Sequence, residues 1–256
     1  MSKYKIGITE RGDAGLDLSW VGKLDAVDGA VVITKCLSPA CYDALLANKE
    51  KLILHATLTG HGHSVLEPAV PPPYEEFDAL MALVDAGFPK EKVVIRVDPI
   101  IPTEKGLRVA GSVIRTCMRK GFSRYRVSLI DMYQHARDRF AANGLPCPYG
   151  PSGFAPNQEQ IAAANKMLHD AKIYWTAEFG RPLAGLRIES CAEPGLTEAI
   201  PCGCISSYDL ALLSLEDENA DVTGLQRKNC LCYSGKTELL SNRKQCEHGC
   251  LYCYWH

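Results

Sequence analysis

Residues 30–58, AVVITKCLSPACYDALLANKEKLILHATL, decide the fold class of this chain. Two segments within it, Ala30–Lys35 and Leu52–Leu58, are short, apolar and rich in branched side chains, which is typical of buried strands. Between them, Ser38 and Pro39 form a helix start, with serine as the N-cap and proline in the first turn. A strand, a helix and a second strand in this order predict a β/α unit with parallel strands.

The same alternation runs through the first 190 residues. Further strands are predicted at Tyr4–Thr9, Val93–Val97, Tyr125–Ile130 and Leu186–Ser190, and helices at Pro39–Ala47, Tyr74–Ala86, Gly106–Arg119 and Gln158–Lys172. About six strands are fewer than the eight of a closed barrel. We therefore expect an α/β fold organised as a partial (β/α)6-type TIM-like barrel, with a doubly wound sheet as the alternative.

Composition indicates a soluble protein of a reducing compartment. The 256 residues are 46% hydrophobic and 23% charged, and a net charge of −2 supplies no electrostatic reason for membrane or DNA binding. No apolar run reaches the roughly 18–20 residues of a membrane span, and we expect no signal peptide. Eight of the twelve cysteines lie between Cys191 and Cys253, which favours metal ligation in the cytoplasm over a disulfide framework.

The end of the chain carries three cysteines, Cys246, Cys250 and Cys253, at spacing C-x3-C-x2-C. Three thiolates on one short loop match three irons of a 4Fe–4S cube and leave the fourth iron open to a small molecule, whereas a structural zinc would need a fourth protein ligand. His248 lies inside this loop. It could replace a cysteine as a ligand or donate a hydrogen bond to cluster sulfur, but a histidine without a metal role is the simpler interpretation.

Four other cysteines, Cys191, Cys204, Cys230 and Cys232, make a second complete set of thiolates. They fit either a closed 4Fe–4S cube or a structural zinc. The C-x-C spacing is unusual for zinc, which favours a second, auxiliary 4Fe–4S cluster. Cys202 is a spare that could exchange roles with Cys204.

The cysteines also suggest a division of the chain. After residue 200 the strand pattern fades, and cysteine, glycine and polar residues become frequent. We expect residues 1–200 to form the partial barrel and residues 201–256 to form a segment that iron–sulfur clusters hold in order.

The ends of the predicted strands are unusually polar. Candidate binding residues at these ends are Thr34, Lys35, Thr57, Arg96, Asp98, Ser128 and Glu189. Sites in parallel β/α folds form at the carboxyl ends of strands, and charged groups inside strands are costly unless they are paired or bind a ligand. One interpretation is a structural network in which Arg96 and Asp98 pair with each other or with Glu189. The recurrence of polar residues at one face of several strands favours a ligand pocket.

The segment Cys246-x3-Cys250-Leu-Tyr252-Cys253-Tyr254 resembles the signature of radical S-adenosylmethionine (SAM) enzymes, which have an aromatic residue before the third cysteine. Its Tyr-Cys-Tyr ending resembles the version in spore photoproduct lyase. The whole chain is similar to an uncharacterised bacterial and phage family with this motif at the C-terminus. The matching blocks are Thr34-Lys35, Arg96-Val-Asp98-Pro99, Ser128 to Tyr133, Cys191-Ala-Glu193, Cys204-Ile, Gln226-Arg227 to Cys232, and Cys246 to Tyr254. Two blocks depart from that family, with Cys36-Leu-Ser-Pro39 in place of Asn-Pro and Ser234-Gly-Lys-Thr in place of Asp-Ile-Gly.

The resemblance implies a circularly permuted radical SAM barrel whose Cys-rich segment closes over the C-terminal face of the strands. Cys246, Cys250 and Cys253 would be the catalytic residues, holding a 4Fe–4S cluster whose open iron binds SAM. Reductive cleavage of SAM would yield a 5′-deoxyadenosyl radical that takes a hydrogen atom from the substrate. Tyr252 would contact adenine through its backbone, and the polar strand-end residues would bind SAM or substrate. The electron would come from a low-potential donor such as flavodoxin or ferredoxin.

The likeness to spore photoproduct lyase implies a base in DNA as substrate. A hypermodified thymidine is the leading expectation, and the enzyme would isomerise or otherwise modify it. A flipped base in a small pocket is compatible with a chain of near-neutral charge. One alternative is radical SAM modification of a peptide or small metabolite, and another is a non-catalytic binding module stabilised by zinc.

Overall fold

The computed structural model describes residues 3–218, 230–241 and 246–254. Within these residues, eight strands form one sheet in the order β7-β6-β5-β4-β3-β2-β1-β8, and every neighbouring pair is parallel. The strands are β1 Ile6–Ile8, β2 Gly29–Thr34, β3 Leu52–Thr57, β4 Val93–Ile100, β5 Arg124–Leu129, β6 Arg187–Cys191, β7 Ile200–Cys202 and β8 Lys236–Glu238. The chain therefore has an α/β fold with a parallel half-barrel sheet.

Helices connect successive strands. They are α1 Pro39–Ala47, α2 Pro73–Asp85, α3 Glu104–Arg119, α4 Gln134–Ala142, α5 Gln158–Phe179 and α6 Ser207–Leu212, with short 3-10 helices at Leu18–Ala26, Lys49–Lys51, Lys90–Lys92 and Leu183–Gly185. The predicted start of α1 is confirmed, because the side chain of Ser38 accepts a hydrogen bond from the Cys41 amide and Pro39 lies in the first turn. Among the described residues, no helix combines the length and the apolar character needed to cross a membrane.

The order of the strands argues against the doubly wound alternative. Strands β1 to β7 follow one another across the sheet in chain order, and β8 lies on the other side of β1. A doubly wound sheet reverses its order at a switch point, and no reversal occurs between β1 and β7. The finer assignment to a permuted (β/α)6 barrel stays a prediction.

Six of the eight strands in the described residues match predicted strands, and the other two were missed. Strands β7, Ile-Pro-Cys, and β8, Lys-Thr-Glu, have three residues each and no apolar alternation, whereas the equally short β1, Ile-Gly-Ile, is apolar. Helices α4 and α6 were also missed, and α5 runs seven residues beyond the predicted end at Lys172. Since β8 pairs with β1, the sheet draws strands from both sides of residue 200.

Alternate residues of the strands face two different cores. On β3, Leu52 and Leu54 belong to the core that the helices cover, whereas Ile53 points to the opposite, inner face of the sheet. Ile53 packs there in a cluster with Cys204 and Tyr233. The Cys-rich segment thus covers part of the inner face, and it brings its cysteines to the face that the strand-end polar residues share.

Candidate metal centre and ligand cavity

A cavity of about 500 Å³ lies at the carboxyl ends of the central strands. Both sets of cysteines line it, together with most of the predicted binding residues. The predicted site residues on its wall are Thr34, Lys35, Thr57, Arg96, Asp98, Ser128, Cys191, Cys204, Cys230, Cys232, Cys246, Cys250, Tyr252 and Cys253. Residues from opposite ends of the chain therefore meet around one space.

The terminal loop is docked tightly against the body of the fold. Leu251 is 8% exposed and packs in a cluster with Ile130 and Phe140, while its amide donates to the carbonyl oxygen of Leu66 at 3.0 Å. Gly249, between His248 and Cys250, adopts a φ of 61°, the left-handed conformation that glycine tolerates best. These contacts hold the loop at the mouth of the cavity.

Burial governs the protonation of two thiols of this loop, Cys246 and Cys250. It raises the pKa of Cys250 to about 12, although the nearby Lys35 ammonium acts in the opposite direction. Burial also raises the pKa of Cys246. These thiols are therefore protonated at neutral pH until a metal displaces their protons, as expected for soft ligands held in a protein interior.

His248 anchors the loop through both of its ring nitrogens. Nε2 lies 3.0 Å from Oδ2 of Asp13, and Nδ1 lies 3.2 Å from the carbonyl oxygen of Ala69. Both partners are acceptors, so both nitrogens donate and the ring is an imidazolium. Burial disfavours that charge, but the hydrogen bond and charge of Asp13 outweigh it and raise the pKa of His248. In this geometry the histidine is engaged with the fold rather than with a metal or a cysteine sulfur.

Asp13 in turn organises the end of β2. Its Oδ1 accepts from the Thr34 hydroxyl at 2.6 Å and its Oδ2 accepts from the Lys35 amide at 2.6 Å. Burial alone would raise the pKa of Asp13, yet His248 and these donors lower it below the ordinary aspartate value. Sequence reasoning missed Asp13, because nothing in its local sequence marks it as the partner of a residue 235 positions away.

Lys35, Glu67 and Tyr252 form a triad in which Glu67 is buried and Lys35 and Tyr252 line the cavity. The Lys35 ammonium lies 2.8 Å from Glu67 Oε1 and 2.9 Å from the Tyr252 hydroxyl, and that hydroxyl also donates to Glu67. Burial opposes ionisation of Glu67, but Lys35 outweighs it, so the pKa of Glu67 lies below its ordinary value and that of Lys35 above it. Glu67 was not predicted, since it lies in an irregular loop. The predicted backbone contact of Tyr252 with adenine stays a prediction.

Arg139, on α4, holds the main chain of the terminal loop. Its guanidinium donates to the carbonyl oxygen of Cys250 at 3.2 Å and to that of Cys253 at 2.7 Å. A bidentate fork of this kind fixes both ends of a turn at once. Sequence reasoning missed Arg139 because its helix was not predicted, and no local motif identifies it.

The other strand-end residues fall into two groups. Arg96 pairs with Asp98, which also accepts from Ser128, and all three line the cavity. Glu189 pairs instead with Arg126 at 2.8 Å and with Arg187 at 2.6 Å, and it does not lie on the cavity wall. The structural network considered from the sequence is thus present in part, because Arg96 and Asp98 pair with each other while Glu189 has different partners. The cofactor-binding roles of these residues stay predictions.

Thr57 presents an unusual polar atom to the cavity. It is 6% exposed, and its hydroxyl has no hydrogen-bond partner among the described residues. It stands beside Arg96 in the register between β3 and β4. A buried hydroxyl without a partner is costly, so this position is suited to a polar atom of a ligand.

The second set of cysteines also lines the cavity. The Sγ atoms of Cys191 and Cys204 are 3.8 Å apart, and Lys236 Nζ lies 3.7 Å from the Sγ of Cys232. A hydrogen bond from Cys191 lowers the pKa of Cys230 to about 5, despite burial. The spare cysteine, Cys202, points elsewhere and donates to the Ser190 carbonyl oxygen at 3.4 Å.

The donor atoms suit distributed metal centres. In the described ranges, no three His, Cys, Asp or Glu side chains already surround one ion position. A 4Fe–4S cube spreads its thiolates over several irons instead of gathering them around a single ion. Cys246, Cys250 and Cys253 line the cavity and are the residues that could hold such a cube.

Comparison with known proteins places the chain in a family. A family model described as "Domain of unknown function (DUF1848)" matches residues 20–255. No curated protein matches the chain significantly. Because the match covers nearly the whole sequence, including both cysteine sets, the chain belongs to the DUF1848 family.

Proposed function

We propose that this chain is a radical SAM enzyme. The observation that carries the proposal is the position of Cys246, Cys250 and Cys253, which line one cavity together with polar residues from four strands. When bound, a 4Fe–4S cluster and SAM would supply a 5′-deoxyadenosyl radical that takes a hydrogen atom from an unactivated carbon. The protein would position one carbon–hydrogen bond of the substrate and exclude water.

Residues of the chain have distinct tasks in this proposal. Cys246, Cys250 and Cys253 would hold the cluster and leave one iron facing the cavity. Lys35 and Arg96 place cationic hydrogen-bond donors on the wall, each beside a paired carboxylate, and such donors suit the carboxylate of SAM. The hydroxyl of Thr57 suits a further polar atom of SAM or substrate.

The strand order supports a circularly permuted barrel. Strand β8 comes late in the chain but lies next to β1, before the series β1 to β7. The terminal loop follows β8 and meets the ends of β1 and β2 through Asp13 and Lys35. A permutation that moves the cluster loop to the end of the chain would produce this arrangement, because the loop keeps its place at the carboxyl ends of the strands.

Two metal assignments are open for the second set, Cys191, Cys204, Cys230 and Cys232. An auxiliary 4Fe–4S cluster agrees with the C-x-C spacing and the thiolate count. Zinc is the second candidate, and the distance of 3.8 Å between the Sγ atoms of Cys191 and Cys204 supports it. Tetrahedral zinc with Zn–S bonds of about 2.3 Å places its sulfurs about 3.8 Å apart.

The substrate would occupy the space between the two cysteine sets. A modified thymidine base in DNA is the leading substrate, and aromatic side chains support a planar ring at this place. Tyr133 lines the cavity, is 39% exposed, and packs edge-on against Phe154 at 5.1 Å between ring centroids. Exposed aromatic rings stack well on bases. A peptide or small metabolite is the alternative, and a flavodoxin or ferredoxin would supply the electron.

One experiment tests the proposed chemistry. The protein is reconstituted anaerobically with iron and sulfide, reduced with dithionite and given SAM, and 5′-deoxyadenosine is measured by chromatography. Wild type should form it, Cys250→Ala should not, and Cys147→Ala should match wild type because Cys147 does not line the cavity. A colourless protein that contains only zinc would support the non-catalytic binding module instead. Deuterium transfer from labelled DNA bases or peptides would then identify the substrate class.

A further inference from the structure

We propose that Arg139 is a positioning residue that sets the conformation of the turn from Cys250 to Cys253 and raises the reduction potential of the cluster bound there. The inference rests on the proposed function for its second part only. The first part concerns the protein alone and is tested without any metal.

The geometry of the guanidinium is fixed from three sides. Its two terminal nitrogens donate to the carbonyl oxygens of Cys250 and Cys253, and its Nε donates to the carbonyl oxygen of His135 at 3.2 Å within the same helix. The Cys250 carbonyl also accepts from the Cys253 amide at 3.1 Å, which closes the turn. Arg139 therefore donates to the carbonyl oxygen that closes the turn and to the carbonyl oxygen at the end of the turn. We infer that these two contacts set the direction of the Cys250 and Cys253 thiols.

The helix that carries Arg139 is itself anchored to the loop. Ala136 and Phe140 of α4 are buried in the same apolar cluster as Leu251, which lies between the two clamped cysteines. Packing and hydrogen bonding thus act on the same four-residue turn. Because a lysine has no planar fork, it cannot bind both carbonyls in this geometry.

The charge of Arg139 has a second consequence. Every hydrogen bond that the described residues accept from Arg139 ends on a carbonyl oxygen. Among the described residues, no carboxylate accepts a hydrogen bond from Arg139, so its positive charge acts on the loop without a paired negative charge. One-electron reduction adds a negative charge to a cluster, and a nearby cation stabilises that charge and raises the potential.

The first test uses the metal-free chain. Cys250 and Cys253 are labelled with iodoacetamide under native conditions, and the rate is followed by mass spectrometry. We expect labelling about tenfold faster in Arg139→Gln and Arg139→Lys, since each loses the two-point clamp. The control, Arg137→Gln, should label like wild type, because Arg137 lies on the same helix but donates to Met132, Gly153 and Gln134.

The second test uses the reconstituted protein. A redox titration followed by electron paramagnetic resonance should give a more negative midpoint potential for Arg139→Gln than for wild type. Arg139→Lys keeps the charge and loses the fork, so its potential should stay close to that of wild type while its labelling stays fast. Unchanged labelling in both variants, or an unchanged potential in Arg139→Gln, would overturn the proposal.

The two tests separate this inference from the proposed function. If wild type assembles no cluster, the radical SAM proposal fails, and the labelling experiment still decides whether Arg139 clamps the turn. Thermal melting by circular dichroism shows whether each variant folds. If Arg139→Gln does not fold, the labelling of Arg139→Lys decides the clamp, and the absence of fast labelling there overturns it.

Discussion

Nε2 of His248 lies 3.0 Å from Oδ2 of Asp13, and this pair connects the inside of the terminal cysteine loop to the segment after β1. Both side chains are buried, with 2% and 5% exposure. The carboxylate also holds Thr34 and Lys35 in place. One ion pair therefore couples the terminal cysteine loop to the end of β2, where predicted binding residues lie.

Loss of the Asp13 charge should release the loop. In Asp13→Asn the imidazolium of His248 is left without its counter-ion, and we expect the free energy of unfolding to fall by about 3–5 kcal/mol. Urea denaturation measures it. The matched control is Asp28→Asn, an exposed aspartate that accepts from the Lys5 amide, and it should change stability by less than about 1 kcal/mol. Equal losses in the two variants would argue against a special role of the Asp13–His248 pair.

Removal of the unpartnered hydroxyl of Thr57 should weaken SAM binding without lowering the free energy of unfolding. Thr57→Val keeps the shape and removes a costly hydroxyl, so we expect the free energy of unfolding of the ligand-free protein to rise by about 1–3 kcal/mol. Affinity for SAM should fall about tenfold, because a ligand atom loses a hydrogen bond. Calorimetric titration of the reconstituted protein measures this affinity. Thr176→Val, on α5 and away from the cavity, serves as control, and wild-type affinity in Thr57→Val would show that the Thr57 hydroxyl does not bind SAM.

The two neighbouring cysteines of the C-x-C pair should behave differently. Cys204 stands 3.8 Å from Cys191, whereas Cys202 bonds to the Ser190 carbonyl oxygen. If the second set holds a cluster, Cys204→Ser should lower the iron content from about eight to about four per chain, while Cys202→Ser should keep it. If the set holds zinc, Cys204→Ser should lose zinc and leave iron unchanged. Iron and zinc are measured by elemental analysis, and equal metal contents in the two variants would contradict the assignment.

Glu76 should make the protein less stable as pH rises. Burial raises the pKa of Glu76 to about 7, although the Leu37 amide donates to it. The folded state thus holds this proton more tightly than the unfolded chain, so the stability it contributes is present below about pH 4.5 and is lost as pH rises through about 7. Glu76→Gln should therefore be more stable than wild type by about 1–3 kcal/mol at pH 8 and nearly equal to it at pH 4.5.

The neighbouring Glu75 supplies the control for that experiment. It is exposed, so Glu75→Gln should show no such difference between the two pH values. Unfolding by urea at each pH gives the comparison. A Glu76→Gln variant that is less stable than wild type at pH 8 would show that the carboxylate is stabilising in the folded state.

Asp209 should have the opposite pH dependence. It is fully buried beside Arg124 and Arg126. Burial acts to raise the pKa of Asp209, but the two guanidinium groups outweigh it and hold that pKa well below the ordinary value. Its contribution is therefore present above about pH 4 and is lost as pH falls through the depressed pKa.

Asp209→Asn tests this sign. At pH 7 we expect a loss of about 3–5 kcal/mol in the free energy of unfolding, because two buried arginines lose a counter-charge. The difference from wild type should shrink as the solution is acidified below about pH 4. A loss that stays constant from pH 7 into acid would contradict the depressed pKa.

Local patterns were enough to predict much of this fold. The buried strand Ala30–Lys35, the N-cap at Ser38 and the spacing of Cys246, Cys250 and Cys253 are each properties of a few consecutive residues. Periodicity and capping act over such distances, so six of the strands and α1 could be predicted from them. Strand β8, Lys-Thr-Glu, has no apolar residue that would mark it as a strand, and it pairs with β1 in the folded sheet.

The partners of the site residues were decided only by the tertiary structure. The sequence by itself determined which residues can ligate metal, because thiols at short spacing are a chemical property of one loop. Glu67 reaches Tyr252 across 185 positions, and Arg139 reaches the Cys250 carbonyl across 111. Such contacts depend on how the ends of the parallel strands are aligned and on which buried charges lie close enough to pair. Neither condition can be read from the residues next to each partner in the sequence.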